Sequence, residues 1–166
     1  KSIHESMTLS TTIIRKIRQL PLITIAAVNG HAAGAGVSIA LATDYIIAEE
    51  QSKWILAFKN VGLVPDLGLH YYLPQIIGEK RAKQWIFEGK TLTAQECLDH
   101  SLISEVVEQS RALERALQYA SQLLDGPIDA FIQSRLIINS NTGQQLVTTM
   151  NTENTMQTLL RGEQDH

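Results

Sequence analysis

The stretch Ile25-Ala26-Ala27-Val28-Asn29-Gly30-His31-Ala32-Ala33-Gly34-Ala35-Gly36 passes from an apolar run through a turn into a loop of small residues. Leu22 to Val28 is short, apolar and rich in β-branched side chains, which predicts a buried strand. Asn29-Gly30 breaks it. His31 to Gly36 is almost wholly glycine and alanine, and Val37 to Thr43 resumes with helical periodicity. A strand, a small-residue turn and a helix leave main-chain N–H groups free at a helix N-terminus, at the positive end of the macrodipole. Such groups suit an anion, or an oxygen that becomes one during reaction. Small residues let a ligand approach the backbone closely. A close-packed turn with no ligand uses the same residues, and the composition leaves both alternatives open.

Upstream, residues 4–19 predict a helix with Ile13, Ile14, Ile17 and Leu20 on one side, ended by Pro21. Downstream, Asp44 to Ala48 and Trp54 to Phe58 predict two more strands. The remainder predicts helices. Leu67 to Ile77, interrupted by Pro74, ends at Gly78, and Glu79 to Glu88 ends at Gly89. Thr93 and Glu96 form a capping box for the next helix. Leu102 to Val107 is extended, and Ser110 to Leu124 carries the apolar stripe Leu113, Leu117, Ala120 and Leu124. Gly126-Pro127 opens a further helix, and Gln144 to Leu160 is the last. The order implies an α/β fold, with a core over residues 1–109 and a helical C-terminal subregion over 110–166. Three strands make a small sheet. Strands upstream of Lys1, or some other completion, are expected.

The 166 residues suffice for one domain with a core, and 44% hydrophobic with 19% charged content fits a globular chain. A net charge of -3 provides no basic field for nucleic acid or an anionic membrane. The longest apolar stretch, Ile23 to Ala48, contains Asn29, His31 and Asp44, which makes a poor membrane span. Cys97 stands alone, so no internal disulfide forms and a reducing, cytoplasmic setting is expected. The N-terminus lacks the charged-then-apolar pattern of a signal peptide. Two motif rivals for the glycine loop are weaker. Gly34-Ala35-Gly36-Val37-Ser38-Ile39 puts Ile39 where a dinucleotide fingerprint needs a third small residue. Gly36-Val37-Ser38-Ile39-Ala40 is not a nucleophile elbow.

Five ordered segments resemble the crotonase (enoyl-CoA hydratase/isomerase) superfamily. Ile25 to Gly36, followed by Ile39 to Asp44, resembles its signature AAVNGxAxGxGxxxALxxD. Gly62-Leu63-Val64-Pro65-Asp66-Leu67-Gly68 resembles GLxPxxGG, and Leu73-Pro74 with Ile77-Gly78 resembles LPRxxG. Glu88 to Cys97 resembles xGxxxxAxEA, and Leu102 to Val107 resembles GLVxxVV, with Ser101 in place of the glycine. The motifs Ala32 to Gly36 and Gly62 to Asp66 look most like members of the epoxyphenylacetyl-CoA isomerase type.

The resemblance implies a core of ββα units wound in a spiral, an acyl-CoA thioester as substrate and no separate cofactor, since coenzyme A is part of the substrate. It implies a homotrimer or hexamer and no metal. Two main-chain N–H groups of the family hold the thioester oxygen. The second maps to Ala35, with Gly34 and Gly36 beside it, and the first belongs to a segment not found before Lys1. Glu163-Gln164-Asp165-His166 resembles the family's EDHREG, ahead of its last helix. Both ends of the family fold are therefore expected to be absent, and the active site incomplete. The two glutamate positions of typical hydratases map to Ser38 and Phe58, neither of which transfers a proton as a carboxylate does. Asp66 is the remaining carboxylate in an active-site position, partly desolvated by Leu63, Val64 and Leu67. It is expected to shuttle a proton in double-bond isomerisation, with enoyl-CoA hydration or a non-catalytic CoA-binding role as alternatives. Capping of the helix near Leu67 is the structural alternative for Asp66. His70 is expected at the substrate, His31 in a rim or packing role, and Asp44 and Cys97 in structural roles.

Overall fold

A computed structural model describes residues 3–164, with side-chain environments from Thr8 to Gly162. Lys1, Ser2, Asp165 and His166 lie outside the described residues, and with them part of the C-terminal EDHREG-like segment. Helix α1 spans Ile3–Gln19, followed by strand β1, Ile25–Val28. The small-residue loop is not all loop. Ala32–Ala33 forms strand β2, and helix α2 begins at once, Ala35–Leu41. Strands β3, Tyr45–Glu49, and β4, Lys53–Ile55, follow.

The strands expected in one small sheet divide between two. Strand β6, Glu105–Val107, completes a parallel sheet in the order β1-β3-β6, with Ile25 opposite Tyr45 and Ile47 opposite Glu105. Strand β4 lies in the second sheet, parallel to β2 and antiparallel to β5, Thr91–Thr93. The strand expected to run to Phe58 stops at Ile55, and Ala57–Val61 winds into a 3-10 turn carrying Phe58. Trp54, fully buried, and Leu92 opposite it seal the second sheet to the core.

Helices α3, Leu69–Ile77, and α4, Glu79–Glu88, follow the 3-10 turn, with Pro74 inside α3 as expected. Helix α5, Ala94–Asp99, opens on the predicted capping box: Glu96 N–H donates to Thr93 Oγ1 at 3.1 Å, and Thr93 N–H to Glu96 Oε2 at 2.8 Å. Helix α6, Ala112–Leu124, lies on the parallel sheet through Ala112 and Ala116, which pack around Ile47 with Ile25 and Val107. The leucine stripe predicted to be its inner face points outward instead. Leu113, Leu117 and Leu124 are all more than 60% exposed in the single chain. The small residues win the inner face because they let the helix approach the strands closely. Helices α7, Ile128–Asn141, and α8, Gly143–Gln164, complete the chain. Leu146 and Met150 of α8 join the same core cluster as Trp54, Leu69 and Leu73, so the helices beyond residue 110 pack into the earlier elements. No helix among the described residues is long and apolar enough to cross a membrane.

Candidate active site

Gly34 turns the chain from β2 into α2 at φ 53° and ψ -118°, a conformation that side chains resist. Its N–H donates to the Ile55 carbonyl and its carbonyl accepts from Val37 N–H, both at 3.0 Å. A Cβ on Gly34 would stand 3.6 Å from Phe58 Cζ, so Phe58 closes directly over the turn. Ala35 and Gly36 are the first residues of α2, where no helical carbonyl lies four residues back to accept their N–H groups. Both are half-buried.

Ser38 is fully buried, and its hydroxyl donates to the Asp66 carbonyl at 2.8 Å. It stands behind the loop rather than on an open surface, and it ties the helix carrying Ala35 to the segment carrying Asp66. Asp66 does not cap α3. The residue ahead of that helix is Gly68, and no side chain of the N-cap bonds to its first turn. Asp66 instead accepts Leu69 N–H on its carbonyl at 3.2 Å, while its Oδ1 is buried without a hydrogen-bond partner among the described residues. Burial, and then the neighbouring charge of Glu153, push the Asp66 carboxyl above the usual aspartate range, against a smaller opposing pull from Arg161 and His70. This is the direction a carboxyl needs to exchange a proton near neutral pH.

His70 lies in the first turn of α3, about a third exposed, with Nδ1 2.8 Å from Glu153 Oε1. A carboxylate only accepts, so Nδ1 carries the hydrogen in this pair. His70 and Glu153 also line an open cavity of about 340 Å³ with Val64, Thr148, Thr152 and Met156. His31 is apart from this group; its Nδ1 accepts Lys53 N–H at 3.1 Å. Asp44 is structural, bound to Thr24 and to Arg135. Cys97 is buried in the core, where desolvation raises its thiol to about 12.

Sequence reasoning missed Glu153 and Gln157. Both are buried in α8, and Gln157 Nε2 donates to the Val64 carbonyl. The signal lay in periodicity: Leu146, Met150, Glu153 and Gln157 fall on one helical face, so two polar residues interrupt an apolar stripe. Buried polar groups on such a face require partners from another element.

Comparison with known proteins bears on the family and the fold. Residues 5–166 match the family model described as enoyl-CoA hydratase/isomerase. YhaR of Bacillus subtilis (strain 168), named for that family, is 37% identical over 148 residues, 89% of this chain and 58% of YhaR. The 1,2-epoxyphenylacetyl-CoA isomerase of Escherichia coli (strain K12) is 33% identical over 154 residues, 93% of this chain and 59% of that enzyme. The crystal structure of an enoyl-CoA hydratase from Mycobacterium avium subsp. paratuberculosis K-10 superposes with a TM-score of 0.89 at 34% identity, covering 95% of this chain and 65% of that one. The chain thus spans about three-fifths of the length of the curated relatives it matches. With its two small sheets, its Gly34 turn and its match over residues 5–166, the chain belongs to the enoyl-CoA hydratase/isomerase family.

Proposed function

We propose that this chain carries the proton-transfer group of an enoyl-CoA double-bond isomerase acting on an acyl-CoA thioester. The observation that carries it is Asp66: its carboxyl is partly buried and raised in pKa, its Oδ1 has no hydrogen-bond partner among the described residues, and its main-chain carbonyl is joined through Ser38 to the helix that starts at Ala35. Asp66 takes a proton from a carbon acidified by conjugation to the thioester. The electron pair moves to the thioester oxygen, and the resulting enolate is held by the Ala35 N–H. The same proton returns two carbons away, which shifts the double bond and restores the carboxylate. A main-chain donor of this kind contributes about 3 kcal/mol to the transition state.

Hydration is the weaker alternative, because Ser38 is buried and committed to Asp66 and Phe58 is apolar, so neither supplies a carboxylate beside a water. Gly34, Gly36, Phe58 and His70 form the surroundings of the acyl group in this proposal. The chemistry needs no separate cofactor, coenzyme A being part of the substrate. Assembly as a homotrimer or hexamer draws support from the exposed Leu113, Leu117 and Leu124 of α6. A cytoplasmic setting draws support from the unpaired Cys97. The test is Asp66→Asn in the full-length protein, assayed on several enoyl-CoA esters. Loss of at least about a hundredfold in kcat is expected for removal of the acid-base group. Turnover at the wild-type rate would overturn the assignment.

A further inference from the structure

The Asp66 side chain does little to fix its own position, since its Oδ1 is buried without a hydrogen-bond partner among the described residues. Its place is therefore set by the backbone, and that backbone is strained. Leu67 stands at φ 57° and Gly68 at φ 88°, two successive left-handed residues. For a branched side chain such as Leu67 this conformation is disfavoured. Gly68 is confined from outside as well, since a Cβ there would come within 2.7 Å of Leu146 Cδ1. Another element must hold this turn in place.

Glu153 of α8 is the group that does so. Its carboxylate is only 3% exposed, and it takes Gly68 N–H at 2.8 Å, His70 N–H at 3.2 Å and His70 Nδ1 at 2.8 Å. Two of these donors are main-chain groups, Gly68 N–H within the strained turn and His70 N–H just beyond it. On the N-terminal side, Gln157 holds the Val64 carbonyl and Ser38 the Asp66 carbonyl. Of these three clamps Glu153 alone is charged.

We propose that Glu153 is a positioning residue for proton transfer: reaching from α8, it clamps the Leu67–Gly68 turn and so sets where the Asp66 carboxyl stands. The inference rests on the reading of Asp66 as the proton-transfer group. A role limited to capping α3 would cost stability and leave catalysis by folded enzyme alone. Positioning predicts more. In the full-length chain, Glu153→Gln keeps the size of the side chain but offers an N–H₂ group where a donor must be accepted. Its kcat falls about tenfold or more, with KM changed less than about twofold. The charged and titratable groups facing Asp66 are Glu153 and Arg161 from α8 and His70 from α3. Loss of the Glu153 charge removes an influence that favours protonated Asp66, so the acidic limb of kcat/KM moves to lower pH.

Asp66→Asn is measured alongside. If it keeps wild-type activity, the Asp66 assignment fails and this inference with it. If it is inactive while Glu153→Gln retains wild-type kcat and an unmoved acidic limb, the positioning role alone is overturned. Should Glu153→Gln fail to fold, Glu153→Asp keeps the charge and shortens the reach. Lowered kcat with the limb in place supports the clamp, and wild-type kcat refutes it.

Discussion

Asp66 is held at a cost to the folded state. Burial and the Glu153 carboxylate favour its protonated form, so its folded pKa lies above the ordinary aspartate value of 3.8. The stability contributed by a group shifted upward is fully present below the unfolded value and is lost as pH rises through the folded one. Asp66→Asn removes the group that must be ionised against this preference. The variant is expected to melt above the wild type at pH 7, with the difference shrinking toward zero as pH falls below 3.8. Paired thermal melts from pH 3 to pH 8 check this; a variant less stable than wild type at pH 7 and equal to it at low pH would contradict the sign. A variant that gains stability while losing activity would mark Asp66 as a residue kept for its chemistry. The position of Asp66 was legible in the sequence, because Pro65-Asp66 stands in a recognisable run. The Ser38 contact was not, since a buried hydroxyl and a substrate-facing one look alike until the partner, 28 residues away in sequence, is known.

Helix α5 shows the same contrast within one element. Its start was readable from Thr93 and Glu96, two residues within one four-residue segment whose capping bonds are local. Its end is a tight reversal: Leu102 N–H donates to the Cys97 carbonyl at 2.8 Å, and Ser101 N–H to the Leu98 carbonyl at 2.9 Å. This pair of bonds is a Schellman motif, which places Ser101 at φ 62° and buries Leu102 against the core. The glycine that Ser101 replaces in the family pattern suits this conformation. Ser101→Gly is expected to stabilise the protein by about 0.5 kcal/mol, since relief of about 1 kcal/mol of left-handed strain exceeds the added chain entropy. Urea midpoints of the two proteins measure it, and a lowered midpoint for the glycine variant counts against the strain argument. Elements fixed by distant pairing were less legible. Strands β2 and β5 are two and three residues long, too short for alternation to show, and exist because β4 lies between them. The face of α6 was misread because Ala112 and Ala116 meet the sheet while the larger leucines do not.

At the scale of the whole molecule, the late helices hold the early ones through a few buried polar groups, of which Arg135 of α7 is the most connected. It is 7% exposed, and its Nε donates to Asp44 Oδ2 at 2.6 Å. Its Nη1 donates to the carbonyls of Leu20 at 2.6 Å and Arg18 at 3.1 Å, and Nη2 to that of Ile17 at 2.6 Å. The last carbonyls of α1 have no helical partner of their own and carry the negative end of its macrodipole, so a guanidinium there satisfies both demands. Asp44 also accepts Thr24 N–H at 2.7 Å and Thr24 Oγ1 at 2.8 Å, which extends the network to the approach to β1. Removing the guanidinium takes the charge partner from Asp44, which keeps only its Thr24 donors, and a donor from three carbonyls, of which Arg18 keeps Asn139 Nδ2 at 3.0 Å. Arg135→Met, which keeps the apolar stem, is expected to cost about 3 kcal/mol or more. Arg135→Lys should recover little, because one ammonium cannot reach four acceptors spread across the fork. Combining Arg135→Met with Asp44→Asn should cost less than the sum of the two single variants, since the second change removes the carboxylate the first left unpaired. Equilibrium unfolding of the four proteins in urea decides it. Additive costs, or an Arg135→Met variant within about 0.5 kcal/mol of wild type, would show that α7 is held by its apolar contacts and that Arg135 is incidental to the join.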